Sequence, residues 1–220
     1  YSIERFNEDY DIIPLYEPAL RRAGLFRRTH LVSPDNPNQK IDFFDRKPFS
    51  TDFTFTRFLI PALNQYDGMA LFMDADMFVR ADIAGIFEVY GKNSKYAVQC
   101  VQHKYAPTDA VKMYGVAQTN YARKNWSSFI LFNNAKCKML KSRTVEKANG
   151  FYLHKFECLK DSQIASLHKS WNVLIGEQSI PKKPKAVHFT IGGPYFKQFK
   201  NTKMAKEWFN FYKKVKHPLK

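Results

Sequence analysis

Three cysteines in 220 residues are too few and too scattered to staple a fold. Cys100, Cys137 and Cys158 are odd in number and form no close pair. That excludes a disulfide framework or a cysteine zinc site and suits free thiols in a reducing compartment. No apolar run approaches a membrane span, no signal-peptide pattern opens the chain, and neither repeat nor linker divides it. These absences point to one cytoplasmic domain over residues 1–220. The chain opens on Tyr1, already in sequence that reads as fold interior, as a fragment or trimmed chain would. Acidic residues are scarce as well, 20 against 35 Lys and Arg, for a net charge of +15. Residues 181–220 hold eleven Lys and one acidic residue, Glu207, so the excess is concentrated there. Such a tail would favour phosphates, anionic lipid or nucleic acid, and a solubilising lysine surface explains it equally well.

Aromatic residues, in contrast, abound. Twenty Phe and twelve Tyr in a chain 45% hydrophobic argue against disorder and for one sizeable core. Asp11–Leu15 reads as a short strand, and Pro18–Arg22 as a helix closed by Gly24. Residues 33–51, rich in Pro, Asn and Asp, read as a long loop. Phe55, Phe58, Leu59, Ala62 and Tyr66 recur at helical spacing, with Arg57 on the same helix and Pro61 set to kink it. A helix near Ile83–Phe87, a strand over Tyr96–Val101 and a lid-like loop over His103–Arg123 follow. Strands are expected at Ser128–Phe132 and Ala186–Phe189, and a helix capped by Asp161 through His168. Over residues 197–220 a closing basic, aromatic helix carries Met204, Trp208, Phe211, Tyr212 and Val215 on one face. Strands alternating with helices predict an α/β fold, a Rossmann-like mixed but mostly parallel sheet flanked by helices.

Met69–Met73 runs apolar into Asp74-Ala75-Asp76, and apolar residues resume at Met77. A short continuous apolar run fits a strand buried on both faces. At its C-terminal end, where open α/β sheets place ligands, residues i and i+2 point the same way, so the two carboxylates converge. Like charges so placed repel unless a cation joins them, and hard oxygen ligands suit Mg²⁺ or Mn²⁺.

Arg57-Phe58-Leu59-Ile60-Pro61, followed by Tyr66-Asp67-Gly68 and the strand ending in Asp74-Ala75-Asp76, resembles nucleotide-sugar glycosyltransferases of the GT-A fold. The similarity is to family eight, the group of glycogenin and bacterial galactosyltransferases, and in particular to a bacterial and viral branch of it. The resemblance implies a metal held by Asp74, Asp76 and His188, the last within His188-Phe189-Thr190-Ile191-Gly192-Gly193-Pro194-Tyr195. It implies donor contacts from Arg57, Ala75, Ser127, Ser128, Gly192 and Gly193, and a role at the reacting carbon for Asp161 and Gln163. The matching blocks cover residues 52–196. Two departures stand out: no counterpart of the family's first strand precedes Tyr1, and no Lys lies between Gly193 and Pro194. The implied reaction is metal-dependent transfer of a sugar, with retention, from a nucleotide-sugar such as a UDP-sugar to a glycan, lipid-linked or protein acceptor. Mn²⁺ or Mg²⁺ would be the cofactor.

Each assignment has a plain competitor. His188 could be a satisfied core residue, Arg57 half of a surface ion pair, Asp161 an N-cap, and Ser127 and Ser128 ordinary strand-entry residues. His103, His154 and His168 read as loop or surface histidines. Two other functions compete: a phosphohydrolase of the haloacid dehalogenase type and a polyanion-binding module built on the basic tail. No nucleic-acid motif supports the latter. The closing helix is a candidate for peripheral contact with an anionic membrane, or it packs on the domain. Oligomeric state leaves no trace in the sequence.

Overall fold

The computed structural model describes residues 1–6, 9–49, 51–91, 95–104, 113–115 and 120–215. Helix α1 (Glu17–Arg22) begins with Pro18 in its first turn, pairs Glu17 with Arg21 one turn later, and closes as Gly24 takes φ +71°. The strand expected at Asp11–Leu15 is not formed; Ile12 and Ile13 are exposed and Pro14 offers no N–H to a ladder. The stretch read as one long loop instead holds two strands. β1 (His30–Val32), β2 (Lys40–Asp42) and β3 (Pro48–Phe49) form a small antiparallel sheet. Pro34, Asn36, Pro37 and Asn38 serve the β1–β2 connection, where the Asn36 carbonyl accepts from Gln39 N at 2.9 Å, and Asp42 and Asp45 shape the β2–β3 turn.

The expected helix appears in three pieces: α2 (Phe53–Thr56), a 3₁₀ turn at Arg57–Leu59, and α3 (Ile60–Leu63). Pro61 sits in the first turn of α3, where its missing N–H costs nothing, so the break falls just ahead of it. β4 (Met69–Met73) follows, then β5 (Met77–Val79), α4 (Ala84–Ile86) and β6 (Val98–Cys100). A 3₁₀ turn at Trp126–Ser128 feeds β7 (Phe129–Asn133), and α5 (Ser142–Lys147) and α6 (Gly150–His154) come next. A single 3₁₀ turn, Asp161–Gln163, leads into β8 (Ile164–Ser166) in place of the helix expected there. β9 (Val173–Leu174), β10 (Ala186–His188) and α7 (Ala205–Tyr212) complete the order.

The main sheet runs β4-β7-β6-β8, and a second runs β5-β10-β9. The α/β class holds, whereas the expected parallel majority does not. Among the described residues only β6–β8 and β9–β10 are parallel, and the other five pairings are antiparallel. In the main sheet the cause is β7, which runs opposite to both β4 and β6 between them, and the other three antiparallel pairings lie in the two smaller sheets. An apolar run reports burial on two faces but not strand direction. Alternation along β7 shows that burial directly. Phe129 and Leu131 pack with Val79, Ile86 and Trp171, while Ile130 and Phe132 pack with Phe58, Leu153 and Phe156.

Helix α7 packs its apolar stripe on the domain, Trp208 and Phe211 against the cluster of Phe78, Val187 and Phe189. The Arg5 guanidinium lies 4.1 Å from the Phe211 ring centroid. Residues of the basic tail beyond 215 lie outside the described set. No helix among the described residues is long and apolar enough to cross a membrane.

Arg28 and Asp42 join the small sheet to the rest. Both side chains are 2% exposed, with Nη2 to Oδ2 at 2.6 Å and Nε to Oδ1 at 2.8 Å. Arg28 Nη1 also donates to the Val145 carbonyl of α5 at 2.9 Å. Removing one partner strands a buried charge, which costs about 3–5 kcal/mol. Asp42→Ala is therefore expected to lower the urea midpoint by that equivalent, and an Arg28→Met/Asp42→Leu double variant to recover most of it. Equal loss in the two proteins would contradict the ion-pair account.

Candidate active site

The turn between β4 and β5 carries Asp74, Ala75 and Asp76. Its geometry is fixed by backbone bonds, Asp74 N to the Ser128 carbonyl at 3.0 Å and Met77 N to the Asp74 carbonyl at 3.2 Å. Behind it lies Arg57, 5% exposed and therefore no helix-surface residue. Arg57 Nη1 meets Asp74 Oδ1 at 2.9 Å and donates to the Ser127 carbonyl at 2.7 Å, while Nε donates to the Phe53 carbonyl at 3.2 Å. Only a rigid planar fork can serve three partners from one helix turn.

Strand β10 brings His188 in from the other sheet, since the β5–β10 register sets it opposite Met77. His188 is 2% exposed; its Nε2 lies 3.1 Å from Asp76 Oδ1 and 3.8 Å from Asp74 Oδ2. Its Nδ1 lies 3.2 Å from Asn172 Oδ1. The Asn172 amide nitrogen is spent on Ser128 Oγ at 2.8 Å and the Asn125 carbonyl at 3.4 Å, so oxygen must face the ring. Nδ1 then carries a proton, and Nε2 is the ring atom that faces the two carboxylates. One ligand atom from each of Asp74, Asp76 and His188 lies within 4.8 Å of the other two. Two hard oxygens and an imidazole nitrogen, oriented by a hydrogen-bonded amide, are a donor set that fits Mn²⁺ or Mg²⁺.

These groups form one wall of a cavity of about 150 Å³, into which Ser127 and Ser128 also face. Arg123 and Asn125, at φ +64° and +60°, turn the chain so that both serines reach it. Non-glycine residues in that region mark backbone strain held by its surroundings. Tyr121, Lys124, Phe151 and His154 line the cavity as well.

The remaining sequence-based candidates lie elsewhere. Ala75 is exposed on the turn and adds no cavity surface. Asp161, with its side chain 86% exposed, pairs with Arg123 at 2.6 Å; it neither caps a helix nor reaches the cavity. Gln163 accepts from its own turn, Lys160 N, at 2.9 Å. At Gly192 and Gly193 the rings of Phe199 and Tyr195 occupy the volumes a Cβ would take, so packing by itself calls for glycine there. Gly192 N also donates to the Phe189 carbonyl at 2.9 Å.

Two histidines read as loop or surface residues are drawn inward, His103 buried within its loop and His154 half-buried on the cavity wall. His103 is 7% exposed; its carbonyl accepts from Trp126 Nε1 at 2.9 Å and its Nδ1 lies 3.1 Å from the Gln178 amide. Burial, then His188, lowers His103 to about 4. His154 is held well below the usual histidine range by burial, then by Arg57, Lys124 and Arg28. Burial pushes the Tyr121 phenol up to about 12. All three are neutral at pH 7. No periodicity or spacing singles out either histidine, so only packing reveals them.

A family model described as Glycosyl transferase family 8 matches residues 25–152. Protein CDI of Arabidopsis thaliana is 38% identical over 207 residues, covering 91% of this chain and 73% of that protein. Among solved structures, an active-site mutant of LgtC is similar with a TM-score of 0.52 at 12% identity, covering 98% of this chain and 90% of that one. WbbM, a bifunctional glycosyltransferase, gives 0.45 at 17% identity over 74% of this chain and 38% of its own length. The LgtC likeness speaks to the fold, which is GT-A.

Neutral buried histidines make stability depend on pH. A histidine whose folded pKa lies below its unfolded value takes up its proton on unfolding, so stability is complete above about 6.5 and falls as pH drops. For His103 the loss runs from about 6.5 to about 4, at up to roughly 1.4 kcal/mol per pH unit. The melting temperature should decline over that window, and less steeply in His103→Gln. Parallel pH profiles for the two proteins would refute this.

Proposed function

Because the chain belongs to glycosyltransferase family 8, we propose that it transfers a hexose from a nucleoside diphosphate donor, a UDP-sugar by the resemblance, to an acceptor hydroxyl. The observation that carries the proposal is the convergence of Asp74, Asp76 and His188 within 4.8 Å on the wall of one cavity, beside Arg57. A divalent cation held there would supply Lewis-acid stabilisation of the charge on the departing diphosphate. Arg57 keeps its Nη2 group outside the bonds to Asp74, Ser127 and Phe53, so that edge of the fork suits a phosphate or sugar oxygen. Asp74 in turn fixes the guanidinium and, through its second oxygen, faces His188. The Asn172–Ser128–Asn125 bonds hold His188 in the tautomer that offers Nε2.

Retention at the anomeric carbon is the outcome the resemblance implies. Asp161, exposed and paired with Arg123, does not line the cavity, and its part at that carbon is what the resemblance implies. A dehalogenase-type hydrolase would need an aspartate nucleophile at position 74, and the Arg57 ion pair argues against that role. Thermal shift with UDP-, GDP- and dTDP-sugars, with and without Mn²⁺, tests the proposal. One donor is expected to raise the melting temperature only with Mn²⁺, by the equivalent of about 2.7 kcal/mol at a hundred times its Kd. EDTA and Asp76→Asn should each abolish the rise. No shift with any donor, or a shift that Asp76→Asn retains, would sink it.

A further inference from the structure

His154 ends α6 and lines the same cavity as the carboxylates. Its Nδ1 lies 2.7 Å from Ser127 Oγ, and Ser127 in turn receives Arg57 at 2.7 Å through its carbonyl. Asp74, Arg57, Ser127 and His154 are thus one relay of contacts along the cavity lining. Aromatic rings set the imidazole's tilt: Phe58 packs nearly perpendicular at 5.2 Å between centroids, with Tyr121 at 6.2 Å and Phe55 at 6.5 Å. These contacts use Nδ1 and the carbon edges. Nε2 makes no hydrogen bond to the described residues, although the ring lines the cavity.

A ring nitrogen among aromatics gains from a polar ligand, and the charge pattern selects which part of a ligand. Burial and three nearby cations, Arg57, Lys124 and Arg28, keep the imidazole uncharged. An uncharged ring suits a hydroxyl, donating or accepting according to tautomer, whereas a phosphate is better met by the guanidinium. We propose that His154 binds a hydroxyl of the transferred sugar through Nε2. The proposal rests on the transferase reading above. His154 would be a specificity-determining contact, acting on the sugar and not on the nucleotide.

The two ring nitrogens can be separated by substitution. Asn reproduces the reach of Nδ1 to Ser127, and Gln reproduces the reach of Nε2 into the cavity. Calorimetric titration with Mn²⁺ would compare UDP, GDP and dTDP with their matching sugar nucleotides on wild type, His154→Asn and His154→Gln. Wild type is expected to bind one sugar nucleotide more tightly than its nucleoside diphosphate. His154→Asn should lose about threefold to tenfold of that preference, the worth of one hydrogen bond, with diphosphate affinity unchanged. His154→Gln should keep most of it.

A preference that survives in His154→Asn overturns the proposal, as does equal weakening of diphosphate and sugar nucleotide, or rescue by Asn and not by Gln. If His154→Asn and His154→Gln do not fold, Ser127→Ala carries the test by removing the hydroxyl that orients the ring. The same selective loss is then expected, and an unchanged preference overturns the proposal. A wild type that binds diphosphate and sugar nucleotide alike overturns it as well. A wild type that binds neither removes the transferase reading itself, a result distinct from all of these.

Discussion

The guanidinium of Arg57 is the one group on which the site's geometry depends. It reaches the Phe53 carbonyl on its own helix, the carboxylate that ends β4, and the carbonyl that precedes β7. Buried ion pairs often contribute little net stability, because desolvation offsets attraction. This one is completed by two carbonyl acceptors, which is the condition for burying an arginine at modest cost. What it secures is orientation. With one oxygen of Asp74 turned to Arg57, the other is left on the His188 side.

The second determinant is the union of two sheets. Asp74 and Asp76 belong to the turn where the chain leaves the main sheet at β4 and enters the smaller one at β5, and His188 arrives on β10 beside β5. A ligand set drawn from residues over a hundred positions apart therefore rests on backbone ladders at either end of a three-residue turn. Around it the cavity keeps its charges few and directed. Tyr121 and His154 stay neutral through burial, so the cationic character lies in Lys47, Arg57 and Lys124 on the walls.

Much of this was legible in the sequence, for identifiable reasons. An apolar run ending in Asp-x-Asp has few physical solutions, and i, i+2 convergence at a strand end is one of them. Gly24 declared a helix end by the backbone region that only glycine enters freely. Strand direction stayed hidden because side-chain patterns at β7 report two-sided burial whichever way the strand runs. The local partners of Asp161 and Gln163, Arg123 and the Lys160 amide, were not legible because composition does not announce them. The inward histidines were hidden for a related reason: a lone histidine has no pattern until its neighbours are known. His103 and His154 acquire meaning only from Gln178, Trp126, Ser127 and Phe58, all distant in the chain.

The paired glycines after β10 carry a consequence of their own. Because the rings of Phe199 and Tyr195 fill the volume a Cβ would take at Gly192 and Gly193, each glycine is tied to an aromatic partner through packing. Selection at such a position acts on the pair. Across related sequences, loss of the ring at position 195 should release position 193 to drift, and a larger residue at 192 should accompany a smaller one at 199. Invariance of these glycines would then record packing history, and their joint variation would trace it more faithfully than either column alone.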